Sequence, residues 1–334
     1  MEQIKNKQIV LASRPTGWVE ESNFRLVETI LDAPDEDEVL VRNSYLSLDP
    51  YMRMRMDAVK SYAPYVELGQ VMVGGTVGEV LESNYADLKP GDLVTGSLGW
   101  QLYGITKGKN LRKVETTKVP LSAYLGIVGM PGVTAWYGLN EIGQPKAGET
   151  VVVSAASGAV GSVVGQLAKM KGCRVVGIAG GKAKCDYVVE ELGFDACIDY
   201  KSPDFKQAFE SAIPDGVDVY FDNVGGEILD LVLASLNPFS RIALCGVISQ
   251  YNQSEPHGIR NARSLLVNRA RLQGFIISDH LEKWAEILPQ LENLVATGRL
   301  KYRESVAEGL ENAPTAFIGM LKGENFGKQV VKLT

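Results

Sequence analysis

The sequence predicts an α/β protein: a doubly wound parallel sheet with helices on both faces, joined to a second, mainly-β domain. Three observations carry that prediction. A strand–turn–helix signature spans residues 151–168, and six candidate strands alternate with helical patterns from there to residue 277. Before residue 125, short β runs separated by glycine-rich turns take the place of helical patterns. The 334 residues also exceed one ordinary core, so two domains are expected.

Taken in order, residues 38–46 alternate well enough for a strand, and residues 70–81 read as a strand with glycine bulges. Pro90-Gly91 marks a tight reversal before a strand that begins at Leu93. Between these runs, Asp49-Pro50 favours a turn or helix start, with Pro50 suited to a first helical position. Tyr51, Arg53 and Arg55 alternate there with Met52, Met54 and Met56. Two readings stay open: a lining for an active-site cleft, or an amphipathic turn whose Met and Tyr enter the core. The pattern turns helical from 123 to 140, and residues 145–149 form a turn. Strands are then expected at 151–153, 174–179, 196–199, 217–222, 241–246 and 272–277, with helices around 182–192, 204–212, 226–236 and 260–268. Six strands at this spacing make a doubly wound parallel sheet. An amphipathic stretch, 281–297, closes the domain, and the tail ends in a β-like run at 327–333 that is expected to return to the first domain. The expected domains are therefore 1–125 with 302–334, and 126–301.

Composition excludes several classes. Hydrophobic content of 45% and charged content of 22% are those of a globular protein, and a net charge of −6 argues against nucleic acid or an anionic membrane as partner. No apolar run approaches the ~18 residues of a membrane span. The first residues lack a signal-peptide core, so a cytoplasmic location is expected. Cys173, Cys185, Cys197 and Cys245 form no C-x-x-C pair, and with only His257 and His280 there is no recognisable metal set. The cysteines are read as structural and reduced.

Chemistry is declared by the turn after the first of these six strands. Val151-Val152-Val153 is a buried strand, and Ala156-x-Gly158-x-x-Gly161 is a dinucleotide fingerprint whose first glycine is alanine. Gly158 would let backbone approach a pyrophosphate, Gly161 would let the helix pack on the strand, and the helix N-terminus, from Ala159 and Val160 onward, offers free N–H groups. Small-residue turns between strand and helix are common, so the next corner decides. NAD-binding units place Asp or Glu at the end of the following strand, roughly 20 residues on, to hold the ribose. Here that strand runs into Gly180-Gly181-Lys182-Ala183-Lys184, with no acid. Lys182 and Lys184 are either solvated helix-start lysines or partners of a 2′-phosphate. A cation at a helix N-terminus is unfavourable unless an anion is bound, which favours the phosphate and hence NADP(H). Beyond the later strand ends, Asn223 and Gly225-Gly226 offer polar contact and close approach. Tyr251 places a phenol in a polar loop, able to donate to a substrate oxygen, and residues 274–278 offer an apolar wall for a nicotinamide face.

These segments carry a resemblance. Residues 157–166, 221–226, 130–135, 48–53 and 320–328 together resemble the zinc-independent prostaglandin reductase/2-alkenal reductase branch of the medium-chain dehydrogenase/reductases, over nearly the whole chain. Bacterial NADPH-dependent curcumin reductases belong to that branch. The resemblance implies a GroES-like catalytic domain joined to a Rossmann domain, with the cofactor in the cleft between them, and usually a homodimer. It implies that Gly158, Ala159, Val160 and Gly161 hold the pyrophosphate and Lys184 the 2′-phosphate, with Tyr200 near the same end and Asn223 touching the cofactor. Cys245, Gly246, Val247, Ile248, Ser249, Gln250 and Tyr251, with Phe275, Ile276 and Ile277, would line the nicotinamide side, and Asn325 would reach it from the tail. Tyr51, Arg53 and Tyr251 would border the substrate pocket. Gly181-Lys182 stands where family members often carry a serine and an acid.

The implied reaction reduces the carbon–carbon double bond of α,β-unsaturated aldehydes and ketones by hydride transfer to the β-carbon. Tyr251 is the candidate donor to the enolate oxygen. Two rivals remain: within the enzyme class, quinone reduction, which needs no placed donor, and outside it a non-catalytic, crystallin-like cofactor-binding role. Rates on an alkenal against a quinone separate the first. Tight NADPH binding without turnover would mark the second.

Overall fold

The computed structural model describes residues 4–334, and the chain divides into two units. The first takes the described residues up to Gly126 together with Glu304–Thr334, and the second is Ile127–Arg303.

In the first unit β1 (Ile4–Leu11) and β2 (Phe24–Leu31) pair antiparallel. They are followed by β3 (Glu38–Ser47), α1 (Tyr51–Met54), β4 (Thr76–Ser83), β5 (Leu93–Gly96), β6 (Tyr103–Lys107) and β7 (Arg112–Lys113). β3 is the spine, antiparallel to both β4 and β6. Its alternation sends Val39 and Val41 into a core with Val80, Leu88, Val94 and Leu98. The strand expected over 70–81 is shorter than its pattern. Residues 70–75 make a single bridge, Val10 to Val71, and the ladder begins at Thr76. Scattered backbone hydrogen bonds to Ile9, Leu11, Gly99 and Trp100 hold this stretch without a continuous ladder, and it is tightly packed: a Cβ on Gly74 would sit 2.8 Å from Leu46 Cδ1 and 3.1 Å from Trp100 Cδ1.

The second unit opens with α2 (Met130–Tyr137), which runs on into a π-helical turn, Gly138–Gly143. Then β8 (Thr150–Ser154), α3 (Gly161–Met170), β9 (Arg174–Ala179), α4 (Lys182–Glu190), β10 (Ala196–Asp199), α5 (Phe205–Ala212), β11 (Val217–Asp222), α6 (Gly226–Leu233), β12 (Leu236–Leu244), α7 (Ala262–Val267) and β13 (Arg271–Gly274) alternate, and α8 (Trp284–Ala296) closes the unit. All six strands are parallel, in the order β10-β9-β8-β11-β12-β13. Every residue of β8 is buried, as a central strand covered on both faces requires. Successive strands extend one way from β8 and then the other from β11, so the crevice outside their carboxyl ends is the switch point where such sheets bind ligands. Two expected strands shift. β12 begins at Leu236, passes an irregularity before Arg241 and stops before Cys245, and β13 ends at Gly274 because its last partner is Leu244. Cys245, Gly246 and Phe275–Ile277 are therefore free of the ladder.

The tail returns to the first unit. β14 (Glu304–Glu308), α9 (Ala313–Leu321) and β15 (Lys328–Lys332) follow, and β15 pairs parallel with β14 and antiparallel with β3. Among the described residues no helix is long and apolar enough to cross a membrane.

Candidate active site

The turn after β8 is shaped by backbone contacts. Ala155 adopts φ +49, and Gly158 N–H donates to the Ala155 carbonyl at 2.9 Å. A Cβ on Gly161 would lie 2.4 Å from that same carbonyl oxygen, so glycine is required for α3 to pack this close. A Cβ on Gly158 would meet only the Ala155 oxygen, at 3.1 Å, which leaves its other side open. Val160 caps α3 with no side-chain hydrogen bond to the first-turn N–H groups. Ser162 N–H and Val163 N–H turn back to the Gly158 and Val160 carbonyls, both at 3.1 Å, so an open glycine and the positive end of a ten-residue helix are what suit this turn to a pyrophosphate.

The second corner separates two lysines that look alike in sequence. Lys182 is 86% exposed and pairs with Asp186 one turn on, at 2.6 Å. Lys184 is half-buried; burial, and then the nearby Lys201, push its pKa down. Two neighbouring cations, one of them desolvated, suit an anion. Tyr200 lies over Gly180, where a Cβ would come within 2.9 Å of the ring, and Lys201 Nζ is 6.0 Å from the ring centroid. An acid does approach this corner, from the next strand. Asp199 Oδ1 accepts from Gly181 N–H at 2.8 Å and from Lys201 N–H at 2.9 Å, so its carboxylate is engaged by backbone. Lys201 and Asp199 escaped sequence reasoning; their signal was the polar run Asp199-Tyr200-Lys201 at the end of β10.

The third corner is built on Asp222, which is fully buried. Its Oδ1 accepts from Tyr220 OH (2.8 Å), Ser154 Oγ (3.1 Å), Val224 N–H and Gly225 N–H (both 2.9 Å), while Oδ2 has no hydrogen-bond partner. Burial raises the pKa of Asp222 despite the hydrogen bonds that oppose it. Asn223 donates its Nδ2 to the Ser154 carbonyl at 2.8 Å, which ties this corner to the end of β8. The loop after β12 rests on these residues. Cys245 N–H and Gly246 N–H donate to the Asp222 carbonyl at 2.8 and 3.2 Å, and Ser249 Oγ donates to the Val224 carbonyl at 2.6 Å. Gly225, at φ +68, permits the contact, since a Cβ there would fall 2.9 Å from Val247 Cγ1. Burial, then Asp222, push the Cys245 thiol up to about 12, so it stays protonated. Tyr251 closes the loop, and its phenol oxygen accepts from Val247 N–H at 3.4 Å.

Phe275 packs within its own unit, 5.6 Å from Tyr137 and 6.3 Å from Phe221 between ring centroids, and Ile277 is buried. Ile276 is half-buried beside them.

The first unit holds the remaining candidates. Lys328 Nζ, buried, donates to Asp49 Oδ1 at 2.7 Å and to the Leu48 carbonyl at 2.6 Å, and Ser47 Oγ donates to Asp49 Oδ2. This cluster fixes the turn into α1. Burial, then Asp49, raise the Tyr51 pKa well above that of an ordinary phenol, so Tyr51 stays protonated. Arg53 is 4% exposed and donates to Asp57 Oδ2 at 2.7 Å and to the Gly17 carbonyl at 3.0 Å. Asn325 donates to the Gly327 carbonyl at 2.8 Å ahead of β15. Among the described residues no group of three or more His, Cys, Asp or Glu could hold a metal ion.

Two family models match. The N-terminal domain of oxidoreductase covers residues 7–114, and zinc-binding dehydrogenase covers residues 159–293. The chain is 49% identical to the NADPH-dependent curcumin reductase of Escherichia coli, over 98% of this chain and 97% of that one. It is 45% identical to the NADP(+)-dependent 2-alkenal reductase of Nicotiana tabacum, over 100% and 99%. The solved structure of CurA from Vibrio vulnificus in complex with NADPH superposes with a TM-score of 0.94 at 48% identity, over 98% of this chain and 99% of that one.

Proposed function

Because this chain belongs to the zinc-independent prostaglandin reductase/2-alkenal reductase branch of the medium-chain dehydrogenase/reductases, with NADP(H) as its cofactor, we propose that it reduces the carbon–carbon double bond of α,β-unsaturated aldehydes and ketones. When bound, NADPH supplies the hydride that adds to the β-carbon. The residues of the chain bind, orient and stabilise. Gly158–Gly161 and the start of α3 take the pyrophosphate, and Lys184 with Tyr200 takes the 2′-phosphate. Asn223, residues 245–250 and residues 275–277 serve the nicotinamide end. Tyr51 lines the substrate pocket, with Arg53 anchoring its helix through Asp57 and Gly17. We also propose a homodimer, and light scattering of the purified protein checks it.

The observation that supports the reaction most is the placement of Tyr251, on a loop hydrogen-bonded to Asp222 and Val224 at the strand ends. Negative charge develops on the carbonyl oxygen of the substrate as hydride arrives, and a phenol O–H donating to it lowers the barrier. The N–H from Val247 polarises that O–H and makes it a stronger donor. Removing one such donor typically costs about 2.7–4 kcal/mol, so Tyr251→Phe is expected to lower kcat on an alkenal by roughly 10²–10³-fold with NADPH affinity unchanged. NADPH oxidation across alkenals, alkenones and a simple quinone tests the whole reading. Turnover confined to the quinone would overturn it, and so would a Tyr251→Phe variant that keeps full rate.

A further inference from the structure

The loop after β12 is fastened at a second point, remote from the strand ends. Asp230, on α6, meets His257 Nε2 at 2.7 Å through Oδ2, with both side chains mostly buried. Its Oδ1 accepts from Arg260 N–H at 2.8 Å and from Asn261 N–H at 3.0 Å, and its own carbonyl accepts from Asn261 Nδ2 at 2.7 Å. One residue of α6 thus holds three positions of the returning strand of the loop. From His257 the hydrogen bonds run back to the segment that carries Tyr251 and end at the Val224 carbonyl. His257 N–H donates to Gln250 Oε1 at 2.6 Å, Gln250 Nε2 donates to Ser249 Oγ at 2.8 Å, and Ser249 Oγ donates to the Val224 carbonyl. Tyr251 is the next residue after Gln250. Between the two anchors, residues 253–256 are exposed and polar or Pro, so no core of their own keeps that stretch in place.

We propose that His257 and Asp230 form a latch that pins the far end of the loop to α6 and thereby positions Tyr251 for the reaction. Both are positioning residues that act through Gln250 and Tyr251. The proposal rests on the reading of Tyr251 as the donor to the substrate carbonyl. It places a specificity in residues that the strand-end geometry alone would not single out, because Asp230 belongs to a helix face and His257 to an exposed loop.

The test measures kcat on an alkenal, the NADPH dissociation constant and amide hydrogen exchange over 246–258 for His257→Ala, His257→Gln, Tyr251→Phe and the double variant His257→Ala/Tyr251→Phe. A glutamine Nε2 reaches about as far as the histidine Nε2 and can donate to Asp230. The latch predicts that His257→Ala lowers kcat about tenfold, speeds exchange over 250–257 and leaves NADPH affinity within about threefold, while His257→Gln recovers most of the rate. In the Tyr251→Phe background, His257→Ala is expected to cost nothing further. Wild-type kcat in His257→Ala, or an equal loss in both backgrounds, would overturn the latch. Full rate in Tyr251→Phe alone would instead remove the reading on which it stands.

Discussion

Lys184 and Lys182 sit two residues apart in sequence and have different environments. The half-buried Lys184 faces a second cation, Lys201, whereas Lys182 is spent on Asp186 in solvent. A charge-assisted hydrogen bond is worth about 1.5–3 kcal/mol, so Lys184→Ala is expected to weaken NADPH binding roughly ten- to hundredfold and leave NADH binding unchanged. Lys182→Ala should change neither, and isothermal titration with both dinucleotides checks the pair. Asp222 makes a prediction of opposite kind. Its carboxyl is pushed up by burial, so the folded state binds the proton more readily than the unfolded chain. This group therefore stabilises most at acid pH, and its contribution falls as pH rises from the unfolded toward the folded pKa. Asp222→Asn lacks that titration. The Tm of wild type minus that of Asp222→Asn should accordingly fall from acid to neutral pH. Asp230 has the reverse sign: burial opposes, but the N–H of Asn261, His257 and the N–H of Arg260 outweigh it and hold the carboxyl low. Its contribution is present above the ordinary carboxylate range and is lost as pH falls through the lowered pKa.

The strand–turn–helix of β8 and α3 divides labour between its two glycines. Gly161→Ala drives a Cβ into backbone at 2.4 Å, and overpacking of this kind costs about 1–3 kcal/mol. It should lower Tm measurably. Gly158→Ala meets only a 3.1 Å contact and should keep Tm while weakening NADPH binding, because the new methyl faces the open side. Both outcomes are read by a thermal melt and a fluorescence titration. At this scale the parallel sheet was legible, since six apolar runs at βα spacing admit little else and each run became a strand. The errors have a common cause. Residues 70–75 and 275–277 have strand-like apolar patterns, but a strand also needs a continuous ladder; 70–75 touch Ile9, Leu11, Ser47, Gly99 and Trp100 only at scattered backbone hydrogen bonds and 275–277 lie beyond the last partner on β12, which periodicity does not report. The fingerprint and the Tyr251 loop could be found from local residue types. The hub at Asp222 could not, because it depends on Ser154, 68 positions away, and the tie between Asp230 and His257 bridges 27 positions.

The chain leaves its first unit after Gly126 and returns at Glu304, so the two units differ in how they depend on continuity. Ile127–Arg303 is one uninterrupted segment holding all six parallel strands, the phosphate corners and the Tyr251 loop. Expressed alone it should fold, as circular dichroism would show, and bind NADPH without turning over substrate. Deletion of 304–334 should instead damage the first unit, because β15 is the strand that joins β14 to β3. An excised segment that fails to fold, or a deletion variant with an intact first unit, would count against this division. The placement of Tyr200 over Gly180 has a consequence for the history of such a molecule. A descendant adopting the dephosphorylated dinucleotide would want a carboxylate at Gly180 or Gly181 to grip the bare ribose, and a side chain at Gly180 has to push aside the outer end of the exposed Tyr200 ring. At Gly181 the backbone turns through φ +93, which L side chains rarely adopt. A change of coenzyme at this corner therefore asks for more than the new carboxylate: a displaced ring in one case, a strained backbone in the other.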